Sequence, residues 1–271
     1  NWLADAANSH PNHSAIIFPS ELILNNNFLS QQNFKEFDEY GKYLVLNYTE
    51  LRRLSNIAAA SFLSRKINVD SKVAVISKNN FLTIVSVLAL WKISALPILL
   101  NPNLKQTELN QLLEISKVDF ILTDLELNIK AETIDLENLF ATDTQLEESN
   151  FDLNKTALVL FTSGTTSIAK GVELTFKNFL ESYKAGKRRL EYCSNDRAIL
   201  SLPIFHVGGF SIFIRALLSA SSIVIPNSLS IEDLDDAMKI SDTTLISLVP
   251  TQMLKFIHAN ILPPKNHRAV L

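Results

Sequence analysis

The segment Thr162-Ser163-Gly164-Thr165-Thr166-Ser167-Ile168-Ala169-Lys170-Gly171 puts five hydroxyl side chains, two glycines and a lysine directly after the apolar run Ala157-Leu158-Val159-Leu160-Phe161. No packed core needs that composition. Successive backbone N–H groups in a glycine-bearing turn form a concave donor surface, hydroxyls add hydrogen bonds and a lysine supplies a point charge, so the residue types suit a polyphosphate. A Walker loop requires G-x-x-x-x-G-K-[ST] opening a helix. Here Gly164 is followed by Ala169, Lys170 and Gly171 at the corresponding positions, without the magnesium-binding hydroxyl after the lysine. Val172-Glu173-Leu174-Thr175 alternates as a strand does, and helical spacing starts only after Thr175, a fitting N-cap. The segment is therefore expected to join two strands. On the residues alone, a Ser/Thr-rich surface hairpin is an equal alternative.

A second set of candidates lies downstream. His206 stands between an apolar run and the pair Gly208-Gly209, and Arg215 follows nine positions later within Phe210-Ser211-Ile212-Phe213-Ile214-Arg215-Ala216-Leu217-Leu218. An isolated histidine is more often a packed residue than a catalyst, while adjacent glycines allow close backbone approach to a ligand. An arginine on an apolar helix must reach solvent or find an anion. That anion is either an internal carboxylate or one belonging to a substrate.

The elements that must position these groups alternate. Strand-like runs at 72–77, 96–100, 118–123, 157–161, 198–202, 222–225 and 245–249 are separated by segments of helical spacing, which predicts an α/β fold of layered, mainly parallel sheets flanked by helices. Residues 81–100 are long and apolar enough to suggest a membrane span. Lys92 near the middle and Pro97 beyond it divide them instead into a buried helix, 81–93, and a strand, 96–100. Leu51, Leu54, Ile57, Ala58 and Phe62 form the apolar stripe of another helix, and a further one follows Pro102. Pro250 suits the first turn of a helix with Met253, Leu254 and Ile257 facing inward. The polar stretch 19–47 reads as an elaborated surface hairpin, and the acidic stretch 141–155 as a connection into the hydroxyl-rich loop.

With 271 residues, 47% hydrophobic content and a net charge of -3, the chain has material for a large core, and two subdomains at 1–150 and 151–271 are one way to divide it. The near-balanced charge offers no broad basic face for nucleic acid, and Lys184, Lys187, Arg188 and Arg189 read as the solvated side of a helix. The single cysteine, Cys193, excludes an internal disulfide framework and a thiolate metal cluster, and suits a cytoplasmic location. The N-terminus lacks the pattern of a secretory signal. A homo-oligomer is compatible with all of this.

The loop resembles the T-S-G-[ST]-T-G-x-P-K-G signature of the adenylate-forming superfamily, with Ser167 in place of the glycine and Ala169 in place of the proline. Ala169 is a mild change, since proline there only pre-sets a backbone angle; Ser167 would carry strain if that position needs positive φ. Other words agree. Tyr48-Thr49-Glu50-Leu51 resembles the Y-[ST]-E-L helix start, and Ala89 to Pro97 resembles A-x-W-K-x-G-A-V-P. Asn101-Pro102 resembles the N-P turn, and Leu202 to Phe210 resembles L-P-x-F-H-x-x-G. The resemblance covers nearly the whole chain.

It implies the large N-terminal, AMP-binding domain of that fold. The chemistry implied is condensation of a carboxylate with ATP to an acyl-adenylate and pyrophosphate, then acyl transfer to the thiol of coenzyme A. Thr162, Ser163, Gly164, Thr165, Thr166 and Lys170 would hold the phosphates, with Thr166 nearest the magnesium ion; Lys170 has a rival role in tying the loop to a backbone carbonyl. His206 would line the acyl pocket with Gly208 and Gly209, orienting the carboxylate and gating thiol entry. Arg215 would clamp a second carboxylate, which a fatty-acid pocket would not need. The wording from Leu202 to Arg215 looks most like the branch of the family that takes an aromatic dicarboxylate. A fatty- or aryl-acid ligase and, on the strength of Ser167 and Ala169, a degenerate nucleotide-binding protein are the alternatives. Relatives continue into a Y-G-x-T-E motif, a ribose-binding aspartate and a mobile C-terminal domain with a catalytic lysine. None of these is found in the chain, which is therefore expected to be the N-terminal part of such an enzyme and inactive alone.

Overall fold

The computed structural model describes residues 1–23, 28–32, 34–38, 41–78, 80–129, 132–140, 146, 152–162 and 170–271. In chain order the elements are α1 (Trp2–Ser9), β1 (Ser14–Pro19), β2 (Lys35–Glu36), β3 (Tyr43–Asn47), α2 (Tyr48–Ser64), β4 (Lys72–Ile76), α3 (Phe81–Lys92), β5 (Leu96–Leu100) and α4 (Gln106–Ser116). They continue with β6 (Phe120–Thr123), β7 (Thr133–Asp135), β8 (Thr156–Thr162), β9 (Lys170–Thr175), α5 (Phe176–Leu190), β10 (Arg197–Ile199) and α6 (Val207–Ser219). The last are β11 (Ser222–Val224), α7 (Ile231–Ser241), β12 (Leu245–Ile246), α8 (Pro250–His258) and β13 (Ala269–Val270). The expected α/β alternation is thus the observed one.

Two compact units share these elements, one made of Asn1 with Arg53–Leu180 and the other of Trp2–Arg52 with Glu181–Leu271. A division at residue 150 falls inside the first unit. The reason is strand pairing: β8 joins β5 in parallel, and β1, from the start of the chain, joins β11 from its second half.

In the first unit a six-stranded sheet has the order β7-β6-β4-β5-β8-β9, parallel except for the final β8/β9 pair. Its central strands read as unbroken apolar runs because both faces are covered. Every residue of α3 from Phe81 to Trp91 is buried, and Asn80 caps the helix by accepting from the Thr83 amide at 2.8 Å. The long apolar stretch therefore resolves into helix and strand as expected. No helix among the described residues is long and apolar enough to cross a membrane. Trp91 fixes the strand that leads to the loop: its indole Nε1 donates to the Ala157 carbonyl at 2.7 Å, and its ring meets Phe176 edge-on at 5.1 Å.

The second unit has a seven-stranded sheet, β13-β12-β10-β11-β1-β3-β2. Antiparallel pairing of β2 with β3 realises the expected hairpin within 19–47. Its end is no surface feature, however. β3 lies between β1 and β2, and Tyr43 and Val45 enter a core with Ile17, Val224, Leu234 and Met238. Tyr48, the first residue of α2, buries its hydroxyl and donates to the carbonyl of Ser221 at 2.7 Å; burial pushes this phenol far above its ordinary pKa. Pro250 opens α8 as expected, but the helix turns the other way. Met253, Leu254 and Ile257 are exposed, and Phe256 enters the core shared with α7, because this nine-residue helix packs through a single turn. The run Lys184, Lys187, Arg188 and Arg189 on α5 is exposed, as a solvated helix face should be.

Candidate active site

The ends of the hydroxyl-rich loop face one another across an antiparallel pair in the first unit, Phe161 opposite Gly171 and Thr162 opposite Lys170. The strand-to-strand setting read from Val172 to Thr175 is the observed one. Helix starts only at Phe176, where Thr175 and Asn178 cap reciprocally. Thr175 Oγ1 accepts from the Asn178 amide at 3.1 Å, and Asn178 Oδ1 accepts from the Thr175 amide at 2.9 Å. Thr162 and Lys170 are both exposed at the loop's base. Ser163, Gly164, Thr165 and Thr166, with Ser167 and Ala169, lie outside the described residues. Among the described residues, no group of three or more His, Cys, Asp or Glu side chains is placed to hold a metal ion.

His206, Gly208, Gly209 and Arg215 belong to the second unit, on one helix and its cap. His206 is the N-cap of α6, in extended backbone, with its amide donating to Pro203 O at 3.0 Å and its carbonyl accepting from the Phe210 amide at 2.9 Å. Its side chain makes no capping bond and is exposed, 4.7 Å from the Phe205 ring. The packed-core alternative for this histidine is therefore excluded. An imidazole at the amino end of a 13-residue helix stands where free N–H groups and the macrodipole favour an anion.

The two glycines meet the protein itself. A Cβ at Gly209 would lie 2.2 Å from the carbonyl oxygen of Pro203, so α6 docks on the Leu202-Pro203 backbone too closely for any side chain. At Gly208 a Cβ would meet only the Leu202 Cδ1 atom, at 3.1 Å. Their close approach is to the turn that carries His206, rather than to open space.

Arg215, nine residues on, lies about 13 Å further along the helix axis at 1.5 Å per residue. Its Nη2 donates to Ser247 Oγ at 3.2 Å and its guanidinium stands over the Tyr192 ring at 5.8 Å. Burial makes its charge costly and lowers its pKa, with Tyr192 acting in the opposite sense. Among the described residues Arg215 forms no ion pair with a carboxylate. Of its two possible anionic partners, the internal one is not found among the described residues. The chamber it shares with Tyr192, Ile212, Ser219 and Ser247 has about 10 Å³ of free space, the room of a single water.

Tyr192, Ser247, Ser201 and Gln252 are site components that residue-type reasoning passes over. Ser201 Oγ donates to the Ser247 carbonyl, and Gln252 Nε2 donates to the Ser201 carbonyl at 3.0 Å, so the end of β12 is held against the strand end that precedes His206. Nothing in the types or spacing of Ser201, Ser247 and Gln252 signals this role, and nothing in the sequence marks Tyr192.

Residues 3–269 match the family described as AMP-binding enzyme, and the chain belongs to that family. The 2-succinylbenzoate–CoA ligase of Bacillus subtilis (strain 168) is 24% identical over 278 residues, covering 100% of this chain and 52% of the relative. The 2-succinylbenzoate–CoA ligase of Listeria monocytogenes serotype 4b (strain F2365) is 27% identical over 277 residues, covering 100% and 54%. In fold, the chain is similar to O-succinylbenzoate coenzyme A synthetase from Bacillus subtilis in complex with ATP and magnesium ion, with a TM-score of 0.85, 24% identity, and coverage of 100% of this chain and 54% of that one. The chain spans about half the length of the curated relatives it matches.

Proposed function

We propose that the protein carrying this chain is an ATP-dependent carboxylate–CoA ligase that converts o-succinylbenzoate to its coenzyme A thioester, a step of menaquinone biosynthesis, and that the chain supplies its N-terminal AMP-binding domain. A carboxylate oxygen of the succinyl arm attacks the α-phosphorus of ATP and pyrophosphate leaves. The thiol of coenzyme A then attacks the acyl carbon and AMP leaves. Thr162 and Lys170, exposed at the base of the loop, suit the phosphates, with Ser163, Gly164, Thr165 and Thr166 completing the grip. Magnesium, when bound, neutralises charge on the phosphate oxygens, and Thr166 is the side chain proposed nearest to it. His206 orients the reacting carboxylate at the amino end of α6 and controls thiol entry; Gly208 and Gly209 hold it there. A reducing cytoplasmic setting fits the single exposed Cys193.

Arg215 carries the choice of substrate. A monocarboxylate ligase has no use for a part-buried guanidinium without a carboxylate partner among the described residues, whereas the aromatic carboxylate of o-succinylbenzoate supplies one. One water in the small chamber can bridge the two. The names of the relatives support the same acid, and the ATP and magnesium bound by the similar synthetase support the same co-substrates. The test is ATP–pyrophosphate exchange by the protein carrying this chain, across a panel of mono- and dicarboxylic acids. Exchange should be greatest with o-succinylbenzoate. Faster exchange with fatty or simple aryl acids would reject the substrate, and no exchange with any acid would reject the reaction.

A further inference from the structure

His206 is placed by its backbone, since its side chain is exposed and makes no capping bond. The turn that carries it is pinned from two directions. On one side α6 docks through Gly209 against the Leu202 and Pro203 carbonyls, and the His206 amide donates to Pro203 O at 3.0 Å. On the other side stands Ser201, which is fully buried. Its hydroxyl donates to the Ser247 carbonyl and its own carbonyl accepts from Gln252 Nε2 at 3.0 Å. Both bonds reach the junction of β12 with α8.

Gln252 uses both ends of its amide, because Oε1 accepts from the Val249 amide at 3.1 Å while Nε2 donates to Ser201. These partners fix which end is which: a backbone N–H can only donate and a carbonyl can only accept. Gln252 is the third residue of α8, where glutamate makes the same capping bond and gains from the positive end of the helix as well. Starting the helix therefore does not require the amide nitrogen. Ser201 does. The junction also reaches α6, where Arg215 Nη2 donates to Ser247 Oγ at 3.2 Å. Turn, helix and junction thus form a closed ring within the second unit, and Gln252 is its strut beneath the turn. Placement of this kind matters to a reaction, since a displacement of about 1 Å can cost roughly a hundredfold in rate.

We propose that Gln252 is a positioning residue for the ligase reaction, fixing through the Ser201 carbonyl the turn that presents His206 to the reacting carboxylate; this rests on the ligase reading above. Gln252→Glu keeps the acceptor for the Val249 amide and sets a carboxylate oxygen against the Ser201 carbonyl. In the protein carrying this chain it should lower kcat for ATP–pyrophosphate exchange with o-succinylbenzoate about tenfold, the worth of one hydrogen bond, with KM for ATP and the melting midpoint unchanged. Added to His206→Ala, it should cost nothing further, because both changes act through one group. Amide hydrogen exchange gives a second reading. The His206 and Phe210 amides, which donate to Pro203 O and His206 O, should exchange several-fold faster in Gln252→Glu, while the Leu200 amide, bonded to Val224 O, should keep its rate. That measurement needs no turnover, so a parent protein inactive with every acid would reject the ligase reading while the amide rates still decide the positioning. An unchanged kcat in an active protein, an equal loss in the His206→Ala background, or unaltered His206 and Phe210 amides would overturn the proposal.

Discussion

Arg268 forks onto Asp196, with Nε to Oδ1 at 2.8 Å and Nη2 to Oδ2 at 2.5 Å, and thereby ties the segment before β13 to the start of β10. Asp196 is 2% exposed and accepts two further bonds, from the Cys193 amide at 3.0 Å and Thr244 Oγ1 at 2.8 Å. Arg268 itself reaches solvent, with 35% of its side chain exposed. Arg268→Ala should therefore cost about 1–2 kcal/mol, less than a fully buried pair would, since Asp196 keeps two donors. Arg268→Lys should recover only part, because it restores the charge without the fork. Urea denaturation of the three proteins measures both differences.

Two carboxyls should tilt stability with pH in opposite directions. Burial tends to raise the pKa of Asp196, but the bonds from Arg268, Cys193 and Thr244 outweigh it and the net shift is downward. Its stabilisation is present above the unfolded value of about 3.9 and is lost as pH falls toward the folded value. Asp124 is shifted upward by burial, against the bonds it accepts from Ser77 at 2.7 Å and Asn80 at 2.9 Å. Its contribution is present below about pH 3.9 and is lost as pH rises through its folded value. Relative to the parent, Asp196→Asn should lose less stability on acidification, and Asp124→Asn should lose less on going from pH 4 upward. Denaturation midpoints across that range check each slope.

The glycines before Arg215 should respond unequally. Gly209→Ala drives a methyl into the Pro203 carbonyl, a backbone atom that cannot turn aside, and should cost about 3 kcal/mol or more. Gly208→Ala meets only the end of the Leu202 side chain and gains helix propensity, so its cost should stay below about 1 kcal/mol. Thermal melting separates the two. Equal penalties would mean that α6 is not held by the contact at Gly209.

Ser94 joins α3 to β5 in left-handed backbone, at φ 59, where the family wording has glycine. The left-handed conformation costs a side chain roughly 1–2 kcal/mol, of which the extra entropy lost by glycine takes back about half. Ser94→Gly should raise stability by about 0.5–1 kcal/mol, seen as a higher denaturation midpoint.

Arg215→Ala should raise KM for o-succinylbenzoate about tenfold to a hundredfold while leaving KM for ATP unchanged, the signature of a lost charge-assisted contact to one substrate. Monocarboxylates should be unaffected. Loss of activity toward every acid alike would instead assign the residue to holding Tyr192 and the end of β12.

Much of this fold is legible in local chemistry. The apolar runs of β4, β5 and β8, the helix stop before Ser94, the cap at Thr175 and the proline at the start of α8 are each set by a few neighbouring residues. The same locality makes the setting of the hydroxyl-rich loop readable, since a strand alternation on each side excludes a helix start.

What folding decided is which surfaces meet. The apolar side chains of α8 satisfy a helical period, but a period does not say which face finds a neighbour, and Phe256 rather than Met253, Leu254 and Ile257 found one. Strand order is likewise non-local: β1 pairs with β11 across the whole chain, so the compact units interleave instead of dividing at residue 150. Arg215 shows the limit most clearly. Residue order alone puts a costly cation on an apolar helix nine residues after His206. That Tyr192 and Ser247 surround it, with no carboxylate among the described residues, emerges only on folding, because contacts between residues far apart in sequence are fixed by packing and not by spacing.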